Sequence, residues 1–497
     1  MLTKFNFILL FICLGCTHIY AQDYGDFPKI KKEKLRNDLD IVYQALDKFH
    51  SGMYWYTPKD SVDNAFQEVR TMITQDMNVL EFHKHIAPLV ALARENHTSI
   101  SMPEDINKKI VNQTAFLPMT VVFLGTKLYC LDNGSALNDK TIQGQEIELI
   151  NGEKPTEIVE KIGSLLNTDG YIQSMKYTDL SLFNFARYYF YYYGEVPEFE
   201  IKFKNSAQPI TLQSEKIEDI RKNLQSRNTA TSVKTTPEKD LLDFQLLDQH
   251  TAYLGIHSFS NSDITAHSKE KNLNDFLEQS FKSIAAHKIK NLIIDVSQNG
   301  GGTEGNEGLL YSYLGPNYQK YIKVAAKTQQ ATLDNGIDPP IKLKTFGLIE
   351  RIFVNKKMKD GTLERREWIG EGLMAYKREP ENKFSGKLYV IISPLTYSGG
   401  SEFCNMIYTN NLATFVGYET GGGYYGNTSG YSKEITLPNS KIVLDIPALR
   451  FMMNVKPKLP LGRGVIPEYE IIPTFEEYNN GENPALSFIL ELIKNQN

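Results

Sequence analysis

Two glycine-rich turns, each leaving an apolar run, hold the residues best suited to covalent chemistry. Leu388-Tyr389-Val390-Ile391-Ile392 leads into Thr396-Tyr397-Ser398-Gly399-Gly400-Ser401-Glu402-Phe403, which sets a hydroxyl between a strand-like run and a helix-like segment, a mount for a serine nucleophile. Upstream, Asn291-Leu292-Ile293-Ile294-Asp295-Val296 enters Ser297-Gln298-Asn299-Gly300-Gly301-Gly302. Backbone N–H groups of Gly300 and Gly301, unobstructed by side chains, could receive an acyl oxyanion, and Gly399 could add the N–H after the nucleophile. Taken alone, Ser398 also reads as an ordinary turn hydroxyl, and its neighbours do not make Gly-x-Ser-x-Gly. The triple glycine is neither a P-loop, since no Gly-Lys-Ser/Thr follows, nor a dinucleotide fingerprint, whose spacing it lacks.

A serine hydroxyl needs a base near neutrality, and histidine is the side chain with that pKa by default. Nine histidines are present, of which His97 lies in Arg94-Glu95-Asn96-His97-Thr98. A metal centre from His83, His85 and His97 is not expected, because positions two apart in a helical pattern do not share a face. His-Glu-x-x-His is absent as well, so neither metal nor other cofactor is expected.

At 497 residues the chain is too long for one ordinary core, and about three domains are expected. Its 54 basic and 59 acidic residues give a formal charge of -5 with no long run of either sign, which makes nucleic acid an unsuitable partner. Lys4 followed by Phe5 to Leu14 reads as a signal peptide over residues 1–21, cut after Ala21, so the protein is expected to be exported. Leu14-Gly15-Cys16 offers a rival processing point with a lipid anchor at Cys16. Under the first cut only Cys130 and Cys404 remain, which implies no disulfide framework. No later apolar stretch is long enough to span a bilayer.

Apolar residues recur at three and four spacing in Leu39, Val42, Leu46 and in Phe66, Val69, Met72, Ile73, which predicts a helical first domain over 22–110. Short alternating strands follow from Leu117, and Gly144 to Pro155, with Asn151-Gly152 as a turn before a helix from Thr156 to Ile162, resembles a PDZ domain. Residues 205–245 are polar and read as a linker or an excursion between domains, so 111–245 is taken as a PDZ-like domain plus linker. From 246 to 497 strands alternate with helices, predicting an α/β core with both glycine turns at neighbouring strand ends.

These residues resemble the serine peptidases that include bacterial C-terminal (tail-specific) processing proteases and the tricorn core protease. Both turns are present in order, with Tyr253 to Phe259, Asn96-His97-Thr98 and Gly464-Val465-Ile466-Pro467-Glu468 extending the likeness, which is strongest from 250 to 475. The resemblance implies a crotonase-like catalytic core. Glu419-Thr420-Gly421-Gly422-Gly423 replaces the stretch that carries a lysine base in the processing proteases, so the resemblance points to the tricorn-like branch, with His97 as base for Ser398. Gly300 or Gly301 and Gly399 then supply the oxyanion hole. The acid partner expected before Gly464-Val465 is replaced by Leu461-Gly462-Arg463, and Glu419 and Glu402 are the candidates to orient His97. The expectation is an exported, periplasmic or cell-envelope serine peptidase acting on peptides or unfolded protein tails. Two other readings are a catalytically inactive peptide-binding scaffold on the same fold and a metal-dependent hydrolase.

Overall fold

The structure, a computed structural model, describes residues 24, 27–227, 240–328, 349, 352–359, 361–366 and 379–495. The expected signal peptide, with both of its processing points, lies outside the described residues. No described helix is long and apolar enough to cross a membrane.

The carboxy-terminal half is built on a six-stranded sheet in the order Tyr469–Glu470, Thr414–Gly417, Lys387–Ile392, Asn291–Asp295, Thr251–Ile256, Leu242–Leu246. All neighbours run parallel except the last pair. Asn291–Asp295 is buried at every position, as a parallel strand covered on both faces must be, and this explains its unbroken apolar run. Ile293, Tyr389, Ile391 and Val416 face the terminal helix Pro484–Lys494, which packs Ala485, Ile489 and Ile493 on them. Leu292, Ile294, Val390 and Ile392 point the other way, toward Leu273–Ala286, Asn306–Ser312 and Gly399–Thr409. Because Asp295 pairs with Ile391, the two strands end side by side, and the two glycine turns emerge together at the carboxyl edge of the sheet, where open α/β sheets hold their ligands.

A second sheet is organised by the long hairpin Gly426–Thr436 and Val443–Met453. On the edge of Val443–Met453 away from Gly426–Thr436, Tyr321–Ala326 pairs at one end and the short strand Ser99–Ser101 adds antiparallel at the other, opposite Asp445, Leu444 and Val443. That pairing ties the amino-terminal helices, Lys32–Phe49, Lys59–Met72 and Val79–Val90, to the carboxy-terminal half of the chain.

The middle of the chain forms a five-stranded antiparallel meander, Met119–Leu124, Lys127–Asn133, Glu146–Ile150, Glu198–Phe203 and Ile210–Gln213. Asn151 and Gly152 both take positive φ, 50° and 81°, the requirement of a tight two-residue turn, and Pro155–Ile162 follows as a helix. Three expected boundaries shift. Residue 110 falls inside the helix Glu104–Gln113, and one apolar cluster joins the amino-terminal helices to the meander, so these parts share a core. The 205–245 linker contains the strand Ile210–Gln213 and the helix Ile217–Ser226, whose buried Ile217 and Ile220 form a narrow stripe in otherwise polar sequence. Residue 246 ends a strand of the catalytic sheet, since Leu242–Leu246 pairs with Thr251–Ile256.

Candidate active site

The helix expected near Glu402 begins at Gly399, which makes Ser398 its N-cap. Ser398 adopts φ 49° and ψ -123°, a backbone state that costs a side-chain-bearing residue about 1–3 kcal/mol and that marks sharp strand-to-helix nucleophile turns. The turn therefore has elbow geometry without the elbow sequence. Its tightness depends on Gly400, where a Cβ would lie 2.2 Å from the Asn299 carbonyl oxygen, and Tyr397 N–H donates to that same oxygen at 3.0 Å.

The triple-glycine turn packs directly on the serine. A Cβ on Gly301, whose φ is 98°, would stand 2.7 Å from Gly399 N and 2.8 Å from Ser398 Cβ. Buried Asn299 shapes this turn by donating Nδ2–H to the Ile256 carbonyl at 3.0 Å and accepting Gly301 N–H on Oδ1 at 2.9 Å. Gly301 N–H is thus already engaged, which removes it from the expected oxyanion donors in this state. Gly399 N–H, first in its helix, has no intrahelical acceptor, and a Cβ on Gly300 would meet nothing within 4 Å, so both retain an open side.

His97 arrives from 300 residues away, two positions before the edge strand Ser99–Ser101. Its Nδ1 lies 3.1 Å from Glu95 Oε1 and 2.7 Å from Tyr397 Oη, and the His97 and Tyr397 rings pack with centroids 4.9 Å apart. Nε2 makes no hydrogen bond among the described residues. The imidazole is therefore held by one nitrogen, beside the residue that precedes Ser398, with the other nitrogen uncommitted. Burial pushes the His97 pKa down, while the charges of Asp169 and Glu402 oppose that shift.

Neither expected acid touches His97. Glu419 accepts Arg463 Nε–H and Nη2–H, each at 2.7 Å, and Gly464 N–H at 3.0 Å. The arginine that stands where the resemblance led us to look for an acid is thus the partner of the acid proposed instead. Glu402 accepts Tyr321 Oη–H at 2.7 Å, Lys320 Nζ–H at 3.3 Å and Asn427 Nδ2–H at 3.0 Å. Lys320 also pairs with Glu304 and Glu307, so its ammonium occupies the centre of the group of carboxylates that could otherwise gather around a cation.

The carboxylate on His97 is Glu95, which is buried and accepts Thr428 N–H on Oε2 at 2.6 Å. A second buried acid, Asp169, accepts Asn96 N–H at 2.9 Å and Tyr397 Oη–H at 3.3 Å on Oδ1, and Gly423 N–H at 3.1 Å on Oδ2. Burial pushes the Glu95 carboxyl up to about 7, and burial together with the charge of Glu95 raises Asp169 well above the usual carboxylate range. Sequence reading missed all three contacts. Glu95, two positions before His97, and Tyr397, immediately before Ser398, were legible by their places in the chain, whereas Asp169 sits in Asn167-Thr168-Asp169-Gly170 with no pattern to distinguish it.

Residues 250–471 match the family described as peptidase family S41. Mature CPAF complexed with lactacystin is similar in fold, with a TM-score of 0.58 at 13% identity, over 93% of this chain and 98% of that one. A putative peptidase from Parabacteroides merdae aligns with a TM-score of 0.44 at 12% identity, over 93% and 96% of the two chains, and the photosystem II D1 C-terminal processing protease with 0.38 at 12%, over 88% and 92%. Among curated proteins nothing matches. The family match takes in both glycine turns and Ser398, so residues 250–471 are similar to peptidase family S41, and the chain is a serine peptidase.

Proposed function

We propose that this is an exported peptidase of the tricorn-like, serine-histidine branch, cleaving peptides or the carboxy-terminal tails of unfolded proteins in the periplasm or cell envelope. Ser398 is the nucleophile and His97 the general base, oriented by Glu95 rather than by Glu402 or Glu419. His97 Nε2 takes the Ser398 Oγ proton as Oγ attacks the scissile carbonyl, and the oxyanion is received by Gly399 N–H and Gly300 N–H. The proton then passes to the leaving amine, and water activated by the same nitrogen releases the acyl group. Export rests on Lys4 and the apolar run after it. A crotonase-like core for 246–497 rests on the parallel sheet with helices on both faces, and a PDZ-like, peptide-holding role for the meander rests on its strand, Asn-Gly turn and helix order.

The observation that carries the mechanism is the contact of His97 Nδ1 with Tyr397 Oη at 2.7 Å, which ties the base to the residue preceding a serine held in a nucleophile-turn conformation. The test is labelling by a serine-directed phosphonate, with lactacystin, which mature CPAF binds, as a second probe. Wild type is expected to label once per chain, His97→Ala to label far more slowly and Ser398→Ala not at all. Failure of folded wild type to label would assign the fold to a non-catalytic peptide-binding scaffold.

A further inference from the structure

We propose that Asp169 and Tyr397 are positioning residues that fix the tautomer of His97, with Asp169 drawing the Tyr397 hydroxyl proton away from the imidazole. This rests on the reading of His97 as the base for Ser398.

His97 Nδ1 has two oxygen neighbours, Glu95 Oε1 at 3.1 Å and the closer Tyr397 Oη at 2.7 Å. A phenol carries one proton, and its direction decides the chemistry. If Tyr397 donates to Nδ1, the imidazole proton is on Nε2 and that nitrogen cannot take a proton from serine. If Tyr397 donates to another acceptor, its oxygen can receive Nδ1–H, and Nε2 keeps the lone pair that a general base needs. The other acceptor is present: Asp169 Oδ1 lies 3.3 Å from Tyr397 Oη. Asp169 is itself held by Asn96 N–H and Gly423 N–H, so one buried carboxyl binds the histidine segment, the nucleophile turn and the glycine stretch 421–423.

The next residues of the same loop repeat this tie. Gly170 N–H donates to the Arg94 carbonyl at 2.9 Å and Tyr171 N–H to the Gly462 carbonyl at 2.7 Å. Gly170, at φ 55°, lies against Gly462 so closely that a Cβ would stand 2.4 Å from its Cα. Asp169 therefore sits on a loop anchored from both sides, outside the family match of 250–471, and contributes to the site from another part of the chain.

The ionisable groups around the imidazole are Glu95 on its own segment, Asp169, Tyr397 and Glu402 from the elements packed on it, and Tyr56 behind the two acids, with Arg450 near Tyr56. The raised pKa of the Glu95 and Asp169 carboxyls is compatible with the arrangement. Glu95 keeps an acceptor for Nδ1–H, while Asp169 Oδ1 remains an acceptor for tyrosine in either protonation state.

A double-mutant cycle in the full chain tests this, read as kcat/KM against pH with a peptide substrate and as phosphonate labelling of Ser398. Tyr397→Phe keeps the ring and is expected to lower kcat/KM about tenfold, chiefly through kcat, and to move the acid limb to lower pH because the imidazolium loses an acceptor. Asp169→Ala frees Tyr397 to donate to Nδ1 and is expected to cost on the order of 100-fold or more, as wrong-tautomer variants of serine proteases do. Adding Tyr397→Phe to Asp169→Ala removes the misdirected donor, so the double variant is expected to exceed Asp169→Ala in activity. That reversal of sign is not the signature of a packing role. If Asp169→Ala does not fold, Tyr397→Phe decides alone: kcat/KM within twofold of wild type from pH 5 to 9 overturns the proposal. Wild type that fails to label at Ser398 would instead overturn the serine-histidine reading, so the two failures are distinct.

Discussion

The backbone N–H of Thr428 donates to Glu95 Oε2 at 2.6 Å, a hydrogen bond between residues 333 positions apart. Two residues after Glu95 comes the imidazole, and two after that the strand Ser99–Ser101, paired with the hairpin that contains Thr428. The histidine segment is thus fastened to the catalytic half on both sides of His97. A charge-assisted bond to a buried carboxylate is among the stronger single contacts available for this purpose.

Glu95→Gln removes the charge facing Nδ1 and is expected to lower kcat/KM by about 10- to 100-fold, while the helical content persists. Glu419→Gln breaks the bidentate contact with Arg463 and is expected to lower Tm while leaving the acid limb of kcat/KM in place. Steady-state kinetics on both variants separates them, and equal effects on the pH profile would refute the assignment of Glu95.

As the proposed base, His97 works only when neutral, so kcat/KM should rise with pH through its pKa. Burial lowers that pKa from 6.5, which places the acid limb below the ordinary histidine range. A limb above pH 7 that persists in Glu95→Gln would count against this account.

Glu95 also links pH to stability. Its pKa is raised from 4.5 to about 7 in the folded chain, so between those values the native state binds more protons than the unfolded one. Stability from this group therefore falls as pH rises through that window and is level above it. In a Ser398→Ala background, which prevents self-digestion, denaturant midpoints at pH 5, 6, 7 and 8 should show that slope. Adding Glu95→Gln should flatten it, and parallel curves would contradict the linkage.

Lys320 is buried among Glu304, Glu307 and Glu402. Lys320→Met leaves these carboxylates without a cation and is expected to destabilise the fold by about 3–5 kcal/mol at neutral pH. The loss should shrink toward pH 5 as Glu304 protonates, since burial raises its carboxyl to about 7. Chemical denaturation at the two pH values checks this, and a pH-independent loss would indicate packing instead.

Gly301→Ala places a Cβ 2.7 Å from Gly399 N at a φ of 98°. Strain of about 1–3 kcal/mol is expected, with a larger proportional loss in kcat/KM because the serine itself must move. Gly300→Ala, whose Cβ would meet nothing within 4 Å, should change stability by less than about 1 kcal/mol. Comparable losses of stability in the two variants would refute the packing of Gly301 on the nucleophile.

The elements that depend on local patterning were legible. The apolar runs read as strand-like before the two glycine turns are strands, Asn291–Asp295 and Lys387–Ile392, because burial on both faces of a parallel strand writes a continuous apolar run into the sequence. The helix Ile217–Ser226 was not legible, because it buries only Ile217 and Ile220, too thin a stripe to stand out from polar neighbours. The acid partner was sought near Arg463 because the resemblance placed it there. The arginine instead neutralises Glu419.

By itself the sequence determined which residues carry reactive groups and which turns are sharp enough to present them, since serine, histidine and glycine have those properties wherever they stand. Only the tertiary structure decided which of them meet. The antiparallel pairing of Ser99–Ser101 with Val443–Met453 carries His97 to Tyr397, and the loop at Asp169 brings in a carboxyl that no spacing marks. Such contacts join residues hundreds of positions apart through strand register and shared burial, and neither leaves a periodic signal in the chain that makes them.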